Sequence, residues 1–131
     1  MKAYDSVNFG RHTAKIVDVE ISNNVRFSKY IADVFKPIYK VGANTVKDNG
    51  IFKYKHVQGF SHDPKKNWGY AKFLNVMGVK NNSSIDDSSK FKNLIGELVE
   101  IEVYEKIFNN TFSKRVTYPV ARVVKHVEIP F

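Results

Sequence analysis

Residues 51–78 read IFKYKHVQGFSHDPKKNWGYAKFLNVMG, and the change of pattern within them decides the fold. The first part alternates Phe52 and Tyr54 with lysines, which is the period of a β-strand, and predicts a strand over residues 51–60. Asp63 and Pro64 then form a helix start, because Asp accepts from free amides at the N-cap and Pro is tolerated at the first helical position. Apolar residues follow at helical spacing: Tyr70, Phe73, Leu74 and Met77. The helix can end at Gly78, so a strand is followed by a helix.

Two further strands are predicted upstream of this stretch. Residues 12–22 are rich in β-branched side chains, and regular pleating would put alternate residues on one face: Thr13, Lys15, Val17, Val19 and Ile21. Asn23 and Asn24 supply turn chemistry, and residues 26–41 predict a second strand that ends or bulges near Pro37. Residues 42–44 and 48–50 bracket a polar loop, so three strands precede any helix.

Downstream, the pattern predicts a second short helix and then more strands. Residues 86–88 can cap a helix that runs to Ile95 and stops at Gly96, and its expected buried side is Phe91, Leu94 and Ile95. A strand then alternates apolar with charged residues: Val99, Ile101, Val103 and Ile107 against Glu100, Glu102 and Lys106. Residues 109–110 form a hairpin turn, residues 112–118 run back, and a last extended segment covers residues 120–129.

This order of elements predicts an all-β fold with one or two short helices. Three strands, helical residues and further strands match the five-stranded Greek-key barrel of the OB-fold, with its helix between strands three and four. A β-sandwich would not need that helix. A chain of 131 residues fits one domain, so we expect a single OB-fold domain over residues 1–131, with an ordered core of about 9–125 and a short tip at 126–131.

The charge distribution favours a polyanionic partner. The net charge is +8, and residues 1–80 hold 14 Lys or Arg against six Asp or Glu, whereas residues 81–131 hold seven against seven. Within residues 36–80, nine lysines are interleaved with seven aromatic residues. Phosphate-neutralising charge and base-stacking rings together are typical of single-strand binders. The sequence has no cysteine, no signal-peptide pattern and no long apolar stretch, so a cytoplasmic protein without a membrane partner is expected.

Candidate nucleic-acid contacts come from basic and aromatic residues in the predicted binding strands and loops. They are Arg26, Lys29, Tyr39, Lys40, Lys47, Lys53, Tyr54, Lys55, Lys65, Lys66, Trp68, Tyr70, Lys114 and Arg115. Because Phe52 and Tyr54 share one face and Lys53 and Lys55 the other, two arrangements are open. Either the rings are core and the lysines meet phosphate, or the rings stack on bases and the lysine stems cover the far side.

Trp68 also has two interpretations. Lys65 and Lys66 would lie in the first turns of the predicted helix, where positive charge opposes the helix dipole, which hints at an anionic ligand beside Trp68. Alternatively, this segment is a solvated turn in which Trp68 caps the core.

Catalytic and metal-binding patterns are not found, so we expect neither an enzyme nor a cofactor. The four histidines are scattered, with no cysteine partner and no spacing typical of a zinc site. The sequence contains no P-loop, no Gly-x-Ser-x-Gly and no acidic cluster for two-metal chemistry. Glu97, Glu100, Glu102 and Glu105 are separated by strand pleating and predict an ordinary exposed face.

The chain resembles the small OB-fold single-stranded-DNA-binding proteins of bacteriophages over most of residues 9–125. The resemblance lies in Phe9-Gly10, in residues 48–52 (DNGIF), in Trp68 with the helix to Gly78, in the Asp86-Asp87 cap and in residues 94–101 (LIGELVEI). It implies sequence-independent binding and protection of single-stranded DNA during phage replication, recombination or repair, without cofactor, in the cytoplasm of the host cell.

Residues 128–131, Glu-Ile-Pro-Phe, are similar to the Asp-Ile-Pro-Phe tip with which cellular single-strand-binding proteins recruit partners. That resemblance implies contacts to replication or recombination proteins through Ile129, Pro130 and Phe131. The segment departs from the pattern in lacking a Gly/Pro-rich linker and several acids, and the alternative is a frayed terminal strand.

Three alternatives to single-stranded DNA binding remain open at this point. They are an RNA-binding OB module, a structural or partner-binding β-protein of a phage, and, ranked last, an enzyme. Assembly into homo-oligomers would raise affinity by joining several binding sites.

Overall fold

The computed structural model describes residues 7–57, 67–79, 87–109 and 115–127. These residues form six strands and two short helices: β1 (Gly10–Arg26), β2 (Tyr30–Val41), β3 (Asn44–Lys47), β4 (Ile51–Val57), α1 (Trp68–Val76), α2 (Asp87–Lys92), β5 (Leu98–Asn109) and β6 (Arg115–His126). The predicted all-β class with two short helices is confirmed. In the described ranges, no helix has the length and apolar character needed to cross a membrane.

The strands form one antiparallel sheet that curls until its edges meet. β1 pairs with β2 on one side and β5 on the other, and β5 continues to β6. The far edge of β2 is shared by β3 and β4. Immediately after β3, a parallel bridge joins Asp48 to Ala121 of β6, and the Asn49 amide donates to the Ala121 carbonyl at 3.0 Å. The sheet is thereby closed at the β3–β6 seam, and both helices come from the chain between β4 and β5.

The core lies between the inner face of this sheet and the two helices. Four rings from β2, α1 and α2 pack together in its centre: Phe35, Tyr70, Phe73 and Phe91. Phe91 stacks on Phe35 at 4.0 Å and on Phe73 at 5.4 Å between ring centroids. Because all four are buried, aromatic packing anchors the helices to the sheet.

Two irregularities in β1 correct the predicted strand pattern. The register changes between Ile16 and Asp18. The buried positions are therefore even-numbered before Val17, at Ala14 and Ile16, and odd-numbered after it, at Val19. The bulge adds one residue and reverses the parity of the pleat, so the predicted common face of Thr13, Lys15, Val17, Val19 and Ile21 is wrong. Thr13 and Lys15 point outward, with both side chains exposed.

The predicted turn at Asn23 and Asn24 is also wrong. The register shifts between Ser22 and Val25, and Asn24 adopts a left-handed conformation with φ 55°. β1 nevertheless continues to Arg26, and the chain reverses between Phe27 and Tyr30, whose backbones exchange hydrogen bonds. Asparagine tolerates positive φ in a bulge as well as in a turn, which is why the residue type did not distinguish them.

The predicted break near Pro37 occurs in the neighbouring strands and not in β2. β4 pairs with β2 as far as Phe35, and β3 pairs with it from Ile38 onward. Pro37 lies at this change of partner, and its carbonyl accepts the Asp48 amide at 2.8 Å. The expected polar loop over residues 42–50 therefore contains the short strand β3.

The helices agree with the prediction in part. α1 buries the expected Tyr70, Phe73, Leu74 and Met77, and it starts at Trp68 after the N-cap residue Asn67. Asp63 and Pro64, the predicted start, lie outside the described residues, as do residues 58–60 of the predicted third strand. α2 ends at Lys92, and Ile95 is 44% exposed rather than buried.

The β5–β6 hairpin extends beyond the sheet. β1 pairs with β5 only from Leu98 to Val103, whereas β5 and β6 remain paired as far as Asn109 and Arg115. Ile107, which belongs to the apolar series of the predicted alternation, lies on this extension and is 45% exposed. β6 is continuous through Pro119, and residues 110–114 lie outside the described residues.

Candidate nucleic-acid interface

Four partly exposed rings form a continuous aromatic cluster on β4 and the β1–β2 turn. Phe27 meets Phe52 edge-on at 5.6 Å, Phe52 stacks on Tyr54 at 5.9 Å, and Tyr54 meets Tyr30 at 5.1 Å. All four side chains are half-buried. Phe27, Tyr30, Phe52 and Tyr54 are called the aromatic cluster below.

The strand register places this cluster on the outer face of the sheet. Phe52 is directly opposite Val34, and Tyr54 is directly opposite Ala32. Ala32 and Val34 are buried although neither belongs to the core cluster, so their cover comes from the outer side. The next residue along β2, Phe35, points inward into the core. The rings thus shield two small apolar residues and still leave part of their own surface to solvent.

Lysines continue this outer face along β2. Lys36 and Lys40 have the same parity as Val34, and the side chain of Lys36 approaches Gly50 beside the ring of Phe52. Lys40 is the direct cross-strand partner of Lys15, and both side chains are exposed. Like charges placed directly opposite each other destabilise a sheet, so this pair has a cost that the fold does not explain. An anionic ligand would remove that cost.

A groove of about 530 Å³ opens beside the aromatic cluster, between β4, α1 and β6. Its walls include Phe52 and Tyr54 on one side and Trp68, Lys72 and Val76 of α1 on another, with Tyr104, Arg122 and Val124 from β5 and β6. Trp68 is 67% exposed, and the Lys72 ammonium lies 4.8 Å from the centre of its ring. The interpretation of Trp68 as a cap on the core is therefore wrong.

Asn67 connects the groove wall to β4. Its side-chain carbonyl accepts the Tyr54 amide at 2.7 Å, and its side-chain NH₂ donates to the Tyr54 carbonyl at 3.3 Å. The amide side chain thus satisfies the outward-facing backbone groups of Tyr54 as a neighbouring strand would. Because Trp68 follows Asn67 directly, these two bonds hold the start of α1, where Trp68 lies, against β4.

At the bottom of the groove lies Asp48, at the seam that closes the sheet. The Tyr39 hydroxyl donates to its Oδ2 at 2.5 Å, and the Gly50 amide donates to its Oδ1 at 2.8 Å. Burial raises the pKa of Asp48 to about 6, although these hydrogen bonds and Lys36 oppose the rise. Burial and the neighbouring Asp48 charge raise the pKa of Tyr39 well above its usual value.

The structure decides between the two arrangements of the rings and lysines of β4. Phe52 and Tyr54 face outward, whereas Lys53 and Lys55 lie on the opposite face. The Lys53 ammonium is 5.6 Å from the centre of the Tyr70 ring. Lys55 bonds to the side chain of Asp33 at 3.1 Å, and that carboxylate is 7% exposed. Lys53 and Lys55 therefore lie on the opposite face from the aromatic cluster, as the alternation predicted, and their contact with nucleic acid stays a prediction.

Two predicted stacking residues are also wrong. Tyr39 is fully buried and bonded to Asp48, and Tyr70 is 3% exposed within the core. Neither ring can reach a base in the folded protein. The strand and helix patterns around these tyrosines are compatible with a core position as well as with a binding position, because tyrosine occurs both in cores and at interfaces.

The remaining predicted site residues are distributed as follows. Arg26, Lys29 and Lys40 are exposed on the β1–β2 side, and Lys47 is exposed but paired with Glu20 at 2.9 Å. Arg115 begins β6. Lys65, Lys66, Lys114, Ile129, Pro130 and Phe131 lie outside the described residues.

Several residues of this surface were missed by the sequence prediction: Lys15, Phe27, Tyr30, Lys36 and Lys72. Strand alternation does group Lys36 with Lys40, and this signal was present in the sequence. The contacts of Phe27 and Tyr30 with β4 depend on the turn at residues 27–30, which the prediction placed at Asn23 and Asn24.

Outside this face, three acidic residues on or next to β5 contact basic side chains. Glu100 contacts Arg11 at 3.4 Å, Glu102 contacts Arg122 at 2.6 Å, and Glu97 contacts His126 at 2.8 Å. Across the part of the chain that the structure describes, no three His, Asp or Glu side chains come together as a metal site.

Comparison of the chain with protein-family models, with curated proteins and with solved structures found no match.

Proposed function

We propose that this protein binds single-stranded DNA without sequence preference, on the outer face of β2 and β4. The observation that carries the proposal is the aromatic cluster beside outward-facing lysines that include the directly opposed pair Lys15 and Lys40. Rings offer stacking surfaces to any base, and the lysines neutralise phosphates. The role suggested by the resemblance to phage proteins is protection of single strands during replication, recombination or repair.

We also propose that the fold is an OB-fold barrel. Three features support this assignment: β1 pairs with both β2 and β5, the β3–β6 bridge is parallel, and both helices fall between β4 and β5. In this assignment β3 and β4 together are the third strand of a five-stranded barrel, divided at residues 48–50. The second and third strands are where OB-folds bind oligonucleotides, and here they carry the aromatic cluster.

The chemistry of the face favours single strands over duplexes. Stacking on the aromatic cluster requires exposed base faces, and a duplex hides these between neighbouring base pairs. No side chain on this face is required to read a base edge, so affinity depends on stacking and charge. Each phosphate that the protein neutralises releases counterions, so affinity falls steeply as salt rises.

The test is a titration of a fluorescein-labelled oligothymidine with the protein, followed by anisotropy at 50 and 200 mM salt. We expect binding that weakens at least tenfold between the two conditions, together with a change in the emission of Trp68. A duplex of the same length is the control and should bind more weakly. An equally strong interaction with the duplex, or no salt-dependent binding to the single strand, would contradict the proposal.

The same titration with oligouridine separates DNA from RNA, because only RNA offers a 2′-hydroxyl to the protein. Stronger binding to the ribo-oligomer would identify an RNA-binding module instead. Sedimentation of the free and bound protein would show whether several copies assemble on one strand.

A further inference from the structure

Gly69 is the second residue of α1, and neither its backbone nor its surroundings require a glycine. The residue has helical geometry, outside the left-handed region, and a Cβ built on it would have no other atom within 4 Å. Glycine is a weaker helix former than alanine. The chain therefore accepts a small cost to leave this position without a side chain.

The space left at Gly69 belongs to the groove. Gly69 shares one helical stripe with Lys72, Phe73 and Val76, which follow it by three, four and seven residues, and all four line the groove. Any side chain at position 69 would project from this stripe toward the volume that the groove encloses. The missing side chain thus widens the groove where Trp68 and Lys72 form its wall.

The lining of the groove is suited to one nucleotide. Trp68 and Tyr54 offer aromatic surface, Val76 and Val124 offer apolar contact, and Lys72 and Arg122 are cationic. The groove is continuous with the outer face, because Phe52 and Tyr54 belong both to its wall and to the aromatic cluster. A strand that stacks on the aromatic cluster can therefore extend over the edge of β4 into the groove.

We propose that this groove accommodates one nucleotide of the bound strand, with its base against Trp68 and Tyr54 and its phosphate near Lys72. The inference rests on the proposed function and adds to it a discrete subsite beyond the open stacking face. In this arrangement Asn67 is a positioning residue, since its two bonds to the Tyr54 backbone hold the start of α1 against β4.

Filling the groove at position 69 tests the subsite. Gly69→Leu should weaken binding of oligothymidine at least tenfold, and Gly69→Ala should weaken it severalfold or less. Ala71→Leu is the matched control, because Ala71 is exposed on the same helix and does not line the groove. Leucine and alanine are better helix formers than glycine, so both Gly69 variants should keep or raise the thermal midpoint of unfolding.

A second probe measures occupancy of the groove directly. Thymidine 5′-monophosphate at millimolar concentration should shift the indole N–H resonance of Trp68 in the wild-type protein and in Ala71→Leu, but not in Gly69→Leu. The subsite would be overturned if Gly69→Leu bound oligothymidine with wild-type affinity and if thymidine 5′-monophosphate shifted its Trp68 resonance as much as in the wild type. The proposed function would then still stand. Absence of oligonucleotide binding by the wild-type protein would overturn both.

Discussion

The outer surface of β2 and β4 differs from that of β5 and β6 in how its charges are arranged. On β5 and β6, the carboxylates of Glu100 and Glu102 contact Arg11 and Arg122. On β2, the lysine at position 40 is directly opposed by another lysine across β1, and the neighbouring strand carries the aromatic cluster. Both surfaces are built from alternating strands and both contain ion pairs, such as Glu20 with Lys47 beside β2, but the β1–β2 side also holds two lysines in direct opposition.

This difference teaches that net charge alone is a poor guide to the binding face. Arg11 and Arg122 are already paired with carboxylates on the β5–β6 side. If either ion pair opens to bind phosphate, loss of the pair offsets part of the binding free energy. Lysines on the β2 surface gain from phosphate and also lose their mutual repulsion. The four predictions that follow test this contrast, from the largest expected effect to the smallest.

Removal of the aromatic surface should have the largest effect. The double substitution Phe52→Ala and Tyr54→Ala should weaken binding of oligothymidine by at least a hundredfold, because each stacked base contributes about 1–3 kcal/mol. The fold should be moderately destabilised as well, since the rings cover Ala32 and Val34. Anisotropy titration measures the affinity, and urea unfolding shows that the variant is folded under the same conditions.

Two controls make this prediction specific to the β4 face. Tyr54→Phe keeps the ring and should bind within about twofold of wild type. Tyr118→Ala removes a ring that is 39% exposed on the β5–β6 hairpin and should leave affinity unchanged. If Tyr118→Ala lost as much affinity as the double variant, the two surfaces would not differ in the proposed way.

The second prediction concerns Asp48, at the seam where the two surfaces meet. Its folded pKa of about 6 exceeds the usual value of 3.8, so the folded protein binds this proton more tightly than the unfolded chain does. The resulting stability is fully present below pH 3.8 and is lost as pH rises through about 6. The loss is on the order of 2–3 kcal/mol, at about 1.4 kcal/mol per unit of pKa.

Asp48→Asn should abolish this pH dependence, because an amide can accept from Gly50 and meet Tyr39 without titrating. Urea unfolding of both proteins at pH 5, 6, 7 and 8 provides the measurement. We expect the free energy of unfolding of the variant, minus that of the wild type, to increase as pH rises over this range. Parallel pH profiles for the two proteins would show that Asp48 ionises normally at the seam.

Fold class was predictable because the periods of strands and helices are local properties of the chain. The alternation in residues 51–57 and the helical spacing from Tyr70 to Met77 both correspond to elements in the structure. What could not be predicted are the bulges at Val17 and at residues 23–24, which change the faces of β1. A bulge is fixed by the register with a distant strand, and that register is a property of the whole sheet.

The exposure of the candidate binding residues was predictable only in part, for the same reason. Tyr54 and Trp68 are partly exposed as the proposed role requires, whereas Tyr39 is buried, although all three are aromatic residues close to lysines in the sequence. Whether a ring is core or surface depends on what packs over it, and for Tyr39 that is the seam residue Asp48. The opposition of Lys15 and Lys40 likewise depends on the register between β1 and β2, which pairs two residues 25 positions apart in the sequence.

The third prediction tests the two directly opposed lysines, Lys15 and Lys40. Substitution of Lys15 and Lys40 together by glutamine should weaken binding about tenfold at 0.1 M salt and lower the slope of log affinity against log salt by about 1.4. Stability should rise slightly, since the direct repulsion across β1 and β2 is removed. Arg11→Gln removes a cation that is paired with Glu100 and should change the salt slope much less.

The smallest effect is expected at Lys55, where charge has a structural role. In the wild type, the Lys55 ammonium lies 3.1 Å from the carboxylate of Asp33, whose side chain is 7% exposed. Lys55→Gln removes this cation from the buried carboxylate. Because the lysine itself is 42% exposed, solvent reduces the loss, and we expect destabilisation of about 1 kcal/mol. Affinity for oligothymidine should stay within about twofold, because Lys55 faces away from the aromatic cluster. The double variant Lys55→Gln and Asp33→Asn should recover most of the stability, since both side chains are then neutral. A loss of affinity comparable to that of the Lys15 and Lys40 variant, with stability unchanged, would instead return Lys55 to the binding face and extend that face around the edge of β4.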